Sequence, residues 1–514
     1  MPEKINNQLT KGTAWLAFGN ITSRILGAIY VIPWTIMLGS ISLQANTLMG
    51  KGYNIYQFFL MLSTAGLPSA VAKLTAQLED ISRKKFIKKA TNLSILAGFI
   101  SSLLLWTLSP VLAIGDQNVI PVLHSLAFAV LLFPFLSVLR GQLQGQLRMS
   151  EIAISDIIEQ VIRVVYMLSS TYYILYLQHG QWVSVVVQST FAAFLGALFA
   201  TIYLLISIKK NPIVSNIKNQ AETNIDIKDI IQQALPFVII GGFLSSYQWI
   251  DQYTFHPLMK LFYPYISNNQ IEETFGIFNF NINKLVMIIV SLSVSIASTV
   301  LPLVTKFRYD SEKISKYIKQ AYTLMTAVTL PACAVLYTLG KPIYIIFYGN
   351  YANDLEYMPM IQISCLVALF MGITTVMSMV LQGLNKTTIA LRSIYIGLIA
   401  KMLLQPVFIL LTGEIGAILA TLGSLIIISI IMGKYINSRF LVANKIDKTM
   451  ANHIYFSSIL LIFAFNFCNF IIYKFVPTTR FSQAMYLAMT GCIGLIIIFI
   501  DYRRAHIWEV LRKQ

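Results

Sequence analysis

The residues of this sequence that are most suited to a functional role are basic side chains inside long apolar runs. Arg24 lies near the middle of an apolar run from Trp15 to Met37 that contains no acidic residue. An unpaired guanidinium at the centre of a bilayer costs roughly 3 kcal/mol on insertion scales, so it must face water, protein or an anion. Because arginine presents a planar fork of donors that matches phosphate, we expect Arg24 to bind an anionic group.

Two lysines share this property with Arg24. Lys284 and Lys401 also fall within apolar runs and have no acidic residue at helical spacing. Asp251 could pair with one of them or serve as a cation site, but one carboxylate cannot neutralise three cations. The excess of positive charge predicts a site for phosphate or pyrophosphate formed by Arg24, Lys284 and Lys401.

A second group of charges lies together in one predicted span. Glu159 and Arg163 are four residues apart, so they share a helix face and can neutralise one another. With Asp156 they are predicted to line a cavity or to form an ion-pair network that holds the helices together.

The elements that carry these residues are predicted to be transmembrane helices. The chain has 514 residues, of which 56% are hydrophobic and 11% charged, whereas a soluble protein carries about 25% charged residues. Hydropathy gives about fourteen candidate spans, which predicts an all-α polytopic membrane protein. The basic residues lie between the spans and do not interleave with aromatic residues there, which argues against a nucleic-acid partner.

The distribution of charge predicts the topology. Most of the 38 Lys and Arg fall in the N-terminal lead, the even-to-odd connections and the tail, so this side is predicted to be cytoplasmic. Both termini are then cytoplasmic as well. The strongest basic clusters are read as topology signals near anionic lipid rather than as substrate contacts; they lie at 83–89, 306–319 and 503–513.

An internal repeat divides the chain. The segment LQGQLRMSEIAISDIIEQVIRVV from Leu143 resembles LQGLNKTTIALRSIYIGLIAKML from Leu381, and Arg163 and Lys401 follow these leucines at the same interval. Two six-helix lobes with a substrate path between them are therefore predicted, followed by two accessory helices. The predicted boundaries are 1–210 for the N-lobe, 211–227 for a cytoplasmic linker, 228–440 for the C-lobe, and 441–514 for the accessory helices and tail.

Metal, nucleotide and catalytic motifs are not recognisable in the sequence. The four cysteines lie in apolar stretches without metal-ligand spacing, and the histidines are scattered. The sequence contains no GxxxxGK[ST] loop for ATP. We therefore expect no metal, no cofactor and no catalytic residue, and a transporter rather than an enzyme.

Four short motifs carry a resemblance to a known family. They are SRILG from Ser23, AGLP from Ala65, Glu159-Gln160 with Arg163, and NKL from Asn283. Over essentially the whole chain the sequence resembles the MurJ-like and polysaccharide-transporter branch of the multidrug/oligosaccharidyl-lipid/polysaccharide (MOP) exporter superfamily. The similarity is strongest to lipid II flippases of low-GC Gram-positive bacteria. It implies a fold like that of the MATE and MOP transporters, with two lobes around a central cavity.

The resemblance also implies a function and site residues. Family members move undecaprenyl-pyrophosphate-linked saccharides across the bacterial cytoplasmic membrane by alternating access. Arg24 matches the family's helix-one arginine, and Lys284 falls at or beside its basic position in helix eight. The second helix-one arginine of some members is Tyr30 here. The basic position of helix two falls near Asn54 or Ile55, with Lys51 close by at the outer end of the span.

Several alternatives stay open at this point. The saccharide could be lipid II or the repeat unit of a capsule, teichoic or sporulation polymer. A multidrug antiporter of the same superfamily and an integral membrane glycosyltransferase are further alternatives, although the first favours an acidic cavity. Sodium, bound by Asp251, or the membrane potential could drive transport. The expected partners are the lipid-linked saccharide and the bilayer, and a monomer is a plausible oligomeric state.

Overall fold

The protein is built from α-helices throughout the part of the chain that the computed structural model describes. That part comprises residues 19, 22–23, 25–64, 68, 71–72, 74–75, 80–211, 227–307, 309–350, 354–440 and 448–504. Ten stretches of it are long and apolar enough to cross a membrane, and two of these, Ile25–Thr64 and Thr387–Arg439, each contain two long helical segments. The predicted all-α, multi-pass membrane fold is confirmed, and the helices are compatible with about fourteen spans.

The chain divides into two compact units. Unit 1 consists of Met1–Ile41 and Leu48–Gln252, and unit 2 of Ser42–Thr47 and Tyr253–Gln514. Most of the linker predicted at 211–227 lies outside the described residues, so the predicted domain boundaries stay predictions.

Unit 1 is a bundle whose helices pack in a regular order. Its described helices are α1 (Val31–Leu38), α2 (Ser42–Thr64, of which the first turns belong to unit 2), α3 (Asp80–Leu112), α4 (Val119–Gly145), α5 (Met149–Tyr172) and α6 (Trp182–Lys210). Helix α3 packs on α4, α4 on α6, and α5 on α6. One apolar core joins α4, α5 and α6, and it includes Leu136, Leu143, Ile152, Ala197 and Leu204.

Unit 2 repeats this packing order. Its helices are α7 (Ile227–Phe262, which begins in unit 1), α8 (Asn268–Gly276), α9 (Asn283–Lys306), α10 (Ser311–Thr338), α11 (Gly340–Tyr348), α12 (Asp354–Gly383), α13 (Thr387–Thr412) and α14 (Gly416–Phe440). Helix α10 packs on α12, α12 on α14, and α13 on α14, as α3, α4, α5 and α6 do in unit 1. The short helix α11 was not predicted.

The two copies of the repeated segment form the same turn. Leu147 and Asn385 occupy equivalent positions, and both have a left-handed backbone with φ of 60° and 56°. In each copy the residue after it donates its amide back to the first leucine: Arg148 to Leu143 at 3.0 Å, and Lys386 to Leu381 at 2.8 Å. This is the bonding of a helix C-terminus that ends in a left-handed residue. The sequence repeat is therefore a structural repeat.

The start of α10 is fixed by Asp310, which lies just outside the apolar span. The carboxylate accepts the backbone amide of Lys313 at 3.1 Å, as an N-cap residue does. These hydrogen bonds, together with the nearby ammonium of Lys313, hold the pKa of the Asp310 carboxyl below its usual range. The ionised form therefore favours the folded helix end.

Two accessory helices follow the repeat, α15 (Lys448–Ile471) and α16 (Arg480–Arg504). Helix α15 packs on α10, and α16 packs on α11 and α15. The Asn469 amide donates to the Thr338 carbonyl at 2.9 Å and accepts the Tyr486 hydroxyl at 2.6 Å. The opposite face of α15 exposes Phe463, Phe467 and Phe470, which suits contact with lipid.

Candidate functional site

Arg24 lies outside the described residues, but residues on either side of it are described. We call the first apolar helix, which includes residues 19, 22–23 and 25–29 and continues into α1, helix one. A Cβ atom placed on Gly19 would lie 2.7 Å from the Cβ of Ala153, and one on Gly27 would lie 3.3 Å from Nε2 of Gln160. Helix one therefore packs closely along α5. Its arginine falls in the sequence between these two contacts.

The same part of α5 carries a charged cluster that it shares with α4. Nη2 of Arg140 lies 2.8 Å from Oδ1 of Asp156 and 2.8 Å from Oε2 of Glu159. Nη2 of Arg163 lies 2.7 Å from Oε1 of Glu159. The Arg140 Nε also donates to the Ser155 hydroxyl at 3.1 Å. We call Arg140, Asp156, Glu159 and Arg163 the helix-five cluster.

The helix-five cluster balances its own charge. It contains two guanidinium groups and two carboxylates, and none of the four side chains is more than 21% exposed. Each carboxylate therefore depends on its partner, because removing one side of a buried pair leaves an uncompensated charge. The structure contains ion pairs that involve the residues predicted to form them, Asp156, Glu159 and Arg163. Their role in transport stays a prediction.

Arg140 is the member of the cluster that the sequence reasoning missed. It lies in the apolar span Val119–Gly145, just as Arg24 lies in the first apolar run. A search for every basic residue inside a span would have found it. Its acidic partners come from another helix, so helical spacing could not have shown them.

Three tyrosines influence the other guanidinium of the cluster. Tyr30, Tyr53 and Tyr56 are near enough to Arg163 to act on its charge electrostatically. Tyr30 and Tyr56 are buried, and Tyr53 is partly buried. The Nε of Arg163 is buried and finds no hydrogen-bond acceptor among the described residues. Within the described part of the chain, the ion pair of Arg163 is therefore formed through Nη2 with Glu159, while its Nε has no acceptor.

A close helix contact fixes the position of Glu159. A Cβ atom on Gly196 of α6 would lie only 2.5 Å from the Glu159 carbonyl oxygen. We predict that Gly196→Ala pushes α6 away from α5 and destabilises the protein by about 1 to 3 kcal/mol, measured as unfolding of the purified protein. Gly491→Ala is the matched control, because its Cβ would meet nothing within 4 Å. Equal stability of the two variants would contradict the prediction.

Helix α2 supplies no unpaired cation near its middle. Its Lys51 lies 3.0 Å from Oδ2 of Asp116 in the loop between α3 and α4. Asn54, near the basic position that the resemblance predicts for this helix, donates its side-chain amide to Oε1 of Gln252 at 2.9 Å, and its backbone carbonyl accepts Nε1 of Trp249 at 2.9 Å. This position of helix two is thus a neutral amide tied to α7.

Lys284 lies in the first turn of α9, directly after a π-helical segment, Ile277–Ile282. Its ammonium lies 4.9 Å from the centre of the Phe280 ring, and the residue is only partly buried. A cation over an aromatic face is stabilised by the electrons of the ring. Single π-helical turns often occur at functional sites, but the role predicted for Lys284 stays a prediction.

Lys401 and Asp251 are both buried. Lys401 has no exposed surface, and its ammonium donates to the Thr421 hydroxyl of α14. A substrate could reach it only after the helices that bury it had moved. Asp251 lies buried in α7, and no group of three or more His, Cys, Asp or Glu within the described ranges could hold a metal ion. The roles predicted for both residues stay predictions.

The structure thus brings together the charges of helix five but not all the predicted site residues. Asp156, Glu159 and Arg163 form one cluster within unit 1. Lys284 and Lys401 belong to unit 2, each with different neighbours.

Comparison with known proteins agrees with this architecture. Residues 9–308 match the family described as polysaccharide biosynthesis protein. The lipid II flippase MurJ of Bacillus subtilis (strain 168) is 30% identical over 450 residues, which cover 81% of this chain and 80% of that protein.

Solved structures share the fold. A lipid II flippase MurJ in an inward closed conformation matches with a TM-score of 0.67 at 14% identity, covering 95% of this chain and 99% of that one. An inward-facing multidrug resistance MATE family transporter of the MOP superfamily matches with a TM-score of 0.59 at 13% identity, covering 81% and 95%. These relatives are flippases and transporters rather than enzymes. The chain therefore belongs to the polysaccharide biosynthesis protein family and is a relative of the lipid II flippase MurJ.

Proposed function

We propose that the protein is a flippase that moves an undecaprenyl-pyrophosphate-linked saccharide from the inner to the outer leaflet by alternating access, with lipid II as its substrate. The observation that carries the proposal is the 30% identity to a lipid II flippase over four fifths of both chains. The basic residues within the apolar spans suit a substrate whose headgroup carries a diphosphate.

In this proposal Arg24 and Lys284 bind the diphosphate. Arg24 offers a bidentate fork of donors, and Lys284 offers an ammonium that rests over an aromatic ring. Lys401 would join them only in a state in which the helices that bury it have moved, because its ammonium is now buried against Thr421. The helix-five cluster holds α4 and α5 together beside helix one.

The membrane potential is the proposed driving force. With the inside negative, it favours outward movement of an anionic headgroup and inward return of the empty cationic site. Each charge that crosses 100 mV contributes about 2.3 kcal/mol. Sodium binding at the buried Asp251 is the alternative, and a sodium requirement of transport at fixed potential would favour it.

We place the protein in the bacterial cytoplasmic membrane with both termini in the cytoplasm. Exposed basic residues at the start of α3 support this orientation, namely Lys84, Lys85, Lys88 and Lys89. Such residues favour the cytoplasmic side of a membrane.

Rescue of a cell that lacks its own lipid II flippase tests the proposal. We expect expression of this chain to restore growth and to make labelled lipid II accessible from outside. Failure at normal expression, together with export of a capsule or teichoic intermediate, would assign another lipid-linked saccharide. Formation of a new glycosidic bond by the purified protein would instead indicate a glycosyltransferase, and efflux of organic cations would indicate a multidrug antiporter.

A further inference from the structure

We propose that Arg163 is a mobile contact for the diphosphate: it leaves Glu159 for a phosphate oxygen, while Arg140 keeps the carboxylates of the helix-five cluster paired. This inference rests on the proposed function and names a residue of α5 that takes part in it. In this view the helix-five cluster is part of the binding site and supplies a cation to the substrate, and it does more than hold the helices together.

Arg163 is incompletely bonded by the described residues around it. Its Nη2 contacts Glu159, but its Nε is buried without an acceptor among the described residues. A buried donor that lacks a partner is unfavourable, more so for a charged group. An anion that offers several acceptors would satisfy this side chain better than one carboxylate oxygen does.

Glu159 does not depend on Arg163 alone for charge compensation. Arg163 contacts Oε1, whereas Arg140 contacts Oε2 at 2.8 Å and Asp156 at 2.8 Å. When Arg163 moves away, Glu159 keeps a guanidinium partner. The large penalty of leaving a buried carboxylate unpaired is therefore avoided.

The residues near Arg163 are also chemically suited to a phosphate. Tyr30, Tyr53 and Tyr56 act electrostatically on the Arg163 guanidinium, and a tyrosine hydroxyl is a group that can donate a hydrogen bond to a phosphate oxygen. Helix α2, which carries two of them, has Lys51 as its single basic residue, and Lys51 is paired with Asp116. Arg163 of α5 can therefore supply the phosphate with a cation that α2 does not supply. Its side chain is 21% exposed, so it is not fully enclosed by protein.

Binding of undecaprenyl pyrophosphate to the full-length protein in lipid nanodiscs tests the inference. We expect Arg163→Gln to weaken binding about tenfold, as the loss of one charge-assisted hydrogen bond does. Arg163→Lys should have a smaller effect, since it keeps the charge. Glu159→Gln should strengthen binding several-fold, because Arg163 is then released from its carboxylate. A misfolded variant could not produce this gain.

Arg148→Gln is the matched control, because Arg148 forms a similar pair with Glu151 at 2.9 Å and both side chains are 18% exposed. It should bind like the wild type. Competition by inorganic pyrophosphate distinguishes recognition of the diphosphate from recognition of the lipid: equal competition in wild type and Arg163→Gln would contradict a phosphate contact.

The outcomes separate this inference from the proposed function. If Arg24→Ala weakens binding but Arg163→Gln does not, the mobile contact is wrong and the flippase proposal stands. If Glu159→Gln weakens binding as much as Arg163→Gln, the cluster is a brace only, and the inference is again wrong. Absence of binding by the wild-type protein would contradict both.

Discussion

Replacement of Arg24 by alanine should reduce flipping about 10- to 100-fold at unchanged expression, because the diphosphate loses one or two charge-assisted hydrogen bonds. Arg24→Lys should fall between the wild type and alanine, since lysine keeps the charge but not the bidentate fork. The measurement is the rate at which labelled lipid II becomes accessible outside cells that depend on this chain.

The control for Arg24 removes another arginine from an apolar helix. Arg392 is exposed in the first turns of α13, and we treat it as a topology signal. Arg392→Ala should leave the rate within about twofold of the wild type, as expected for a screened surface charge. Equal losses in the two variants would show that Arg24 has no specific contact with the substrate.

The second large effect concerns stability. Arg140→Met should destabilise the protein by about 3 to 5 kcal/mol, because Asp156, whose side chain is only 19% exposed, loses the guanidinium that now lies 2.8 Å away. Unfolding of the purified protein by denaturant or heat provides the measurement. Adding Asp156→Asn should recover part of the loss, since the orphaned charge is then removed.

Lys313→Met is the matched control for this prediction. Lys313 also forms an ion pair, 3.0 Å from Asp310, but its side chain is 55% exposed. Solvent screens such pairs, so stability should not change measurably. If Arg140→Met also left the stability unchanged, or if adding Asp156→Asn restored none of the lost stability, the helix-five cluster would not stabilise the bundle.

Which features could be predicted from the sequence depends on how local their causes are. The long apolar helices were predictable because a bilayer leaves the backbone no partners other than its own. The contact between Glu159 and Arg163 was predictable because it lies within one helix turn. Helix α11 was missed because its nine residues are too few for a window that detects membrane spans.

Features that depend on other helices could not be predicted. The sequence shows that Arg140 and Lys401 lie in apolar spans. It does not show that Arg140 contacts Asp156 or that Lys401 contacts Thr421, because each partner lies on a neighbouring helix. The first turns of α2, Ser42–Thr47, belong to unit 2. Contacts such as Asn46 with Asn281, 2.8 Å apart, join distant parts of the chain and leave no periodic signal in the sequence.

The most direct test of the central claim is flipping by the purified protein in vesicles. Fluorescent lipid II is placed in both leaflets, a membrane-impermeant quencher is added outside, and the loss of signal from the inner leaflet is followed. The flippase account predicts rapid loss of the inner-leaflet signal with the wild-type protein and a rate about 10- to 100-fold lower with Arg24→Ala. A wild-type rate equal to that of protein-free vesicles, or equal rates for wild type and Arg24→Ala, would contradict it.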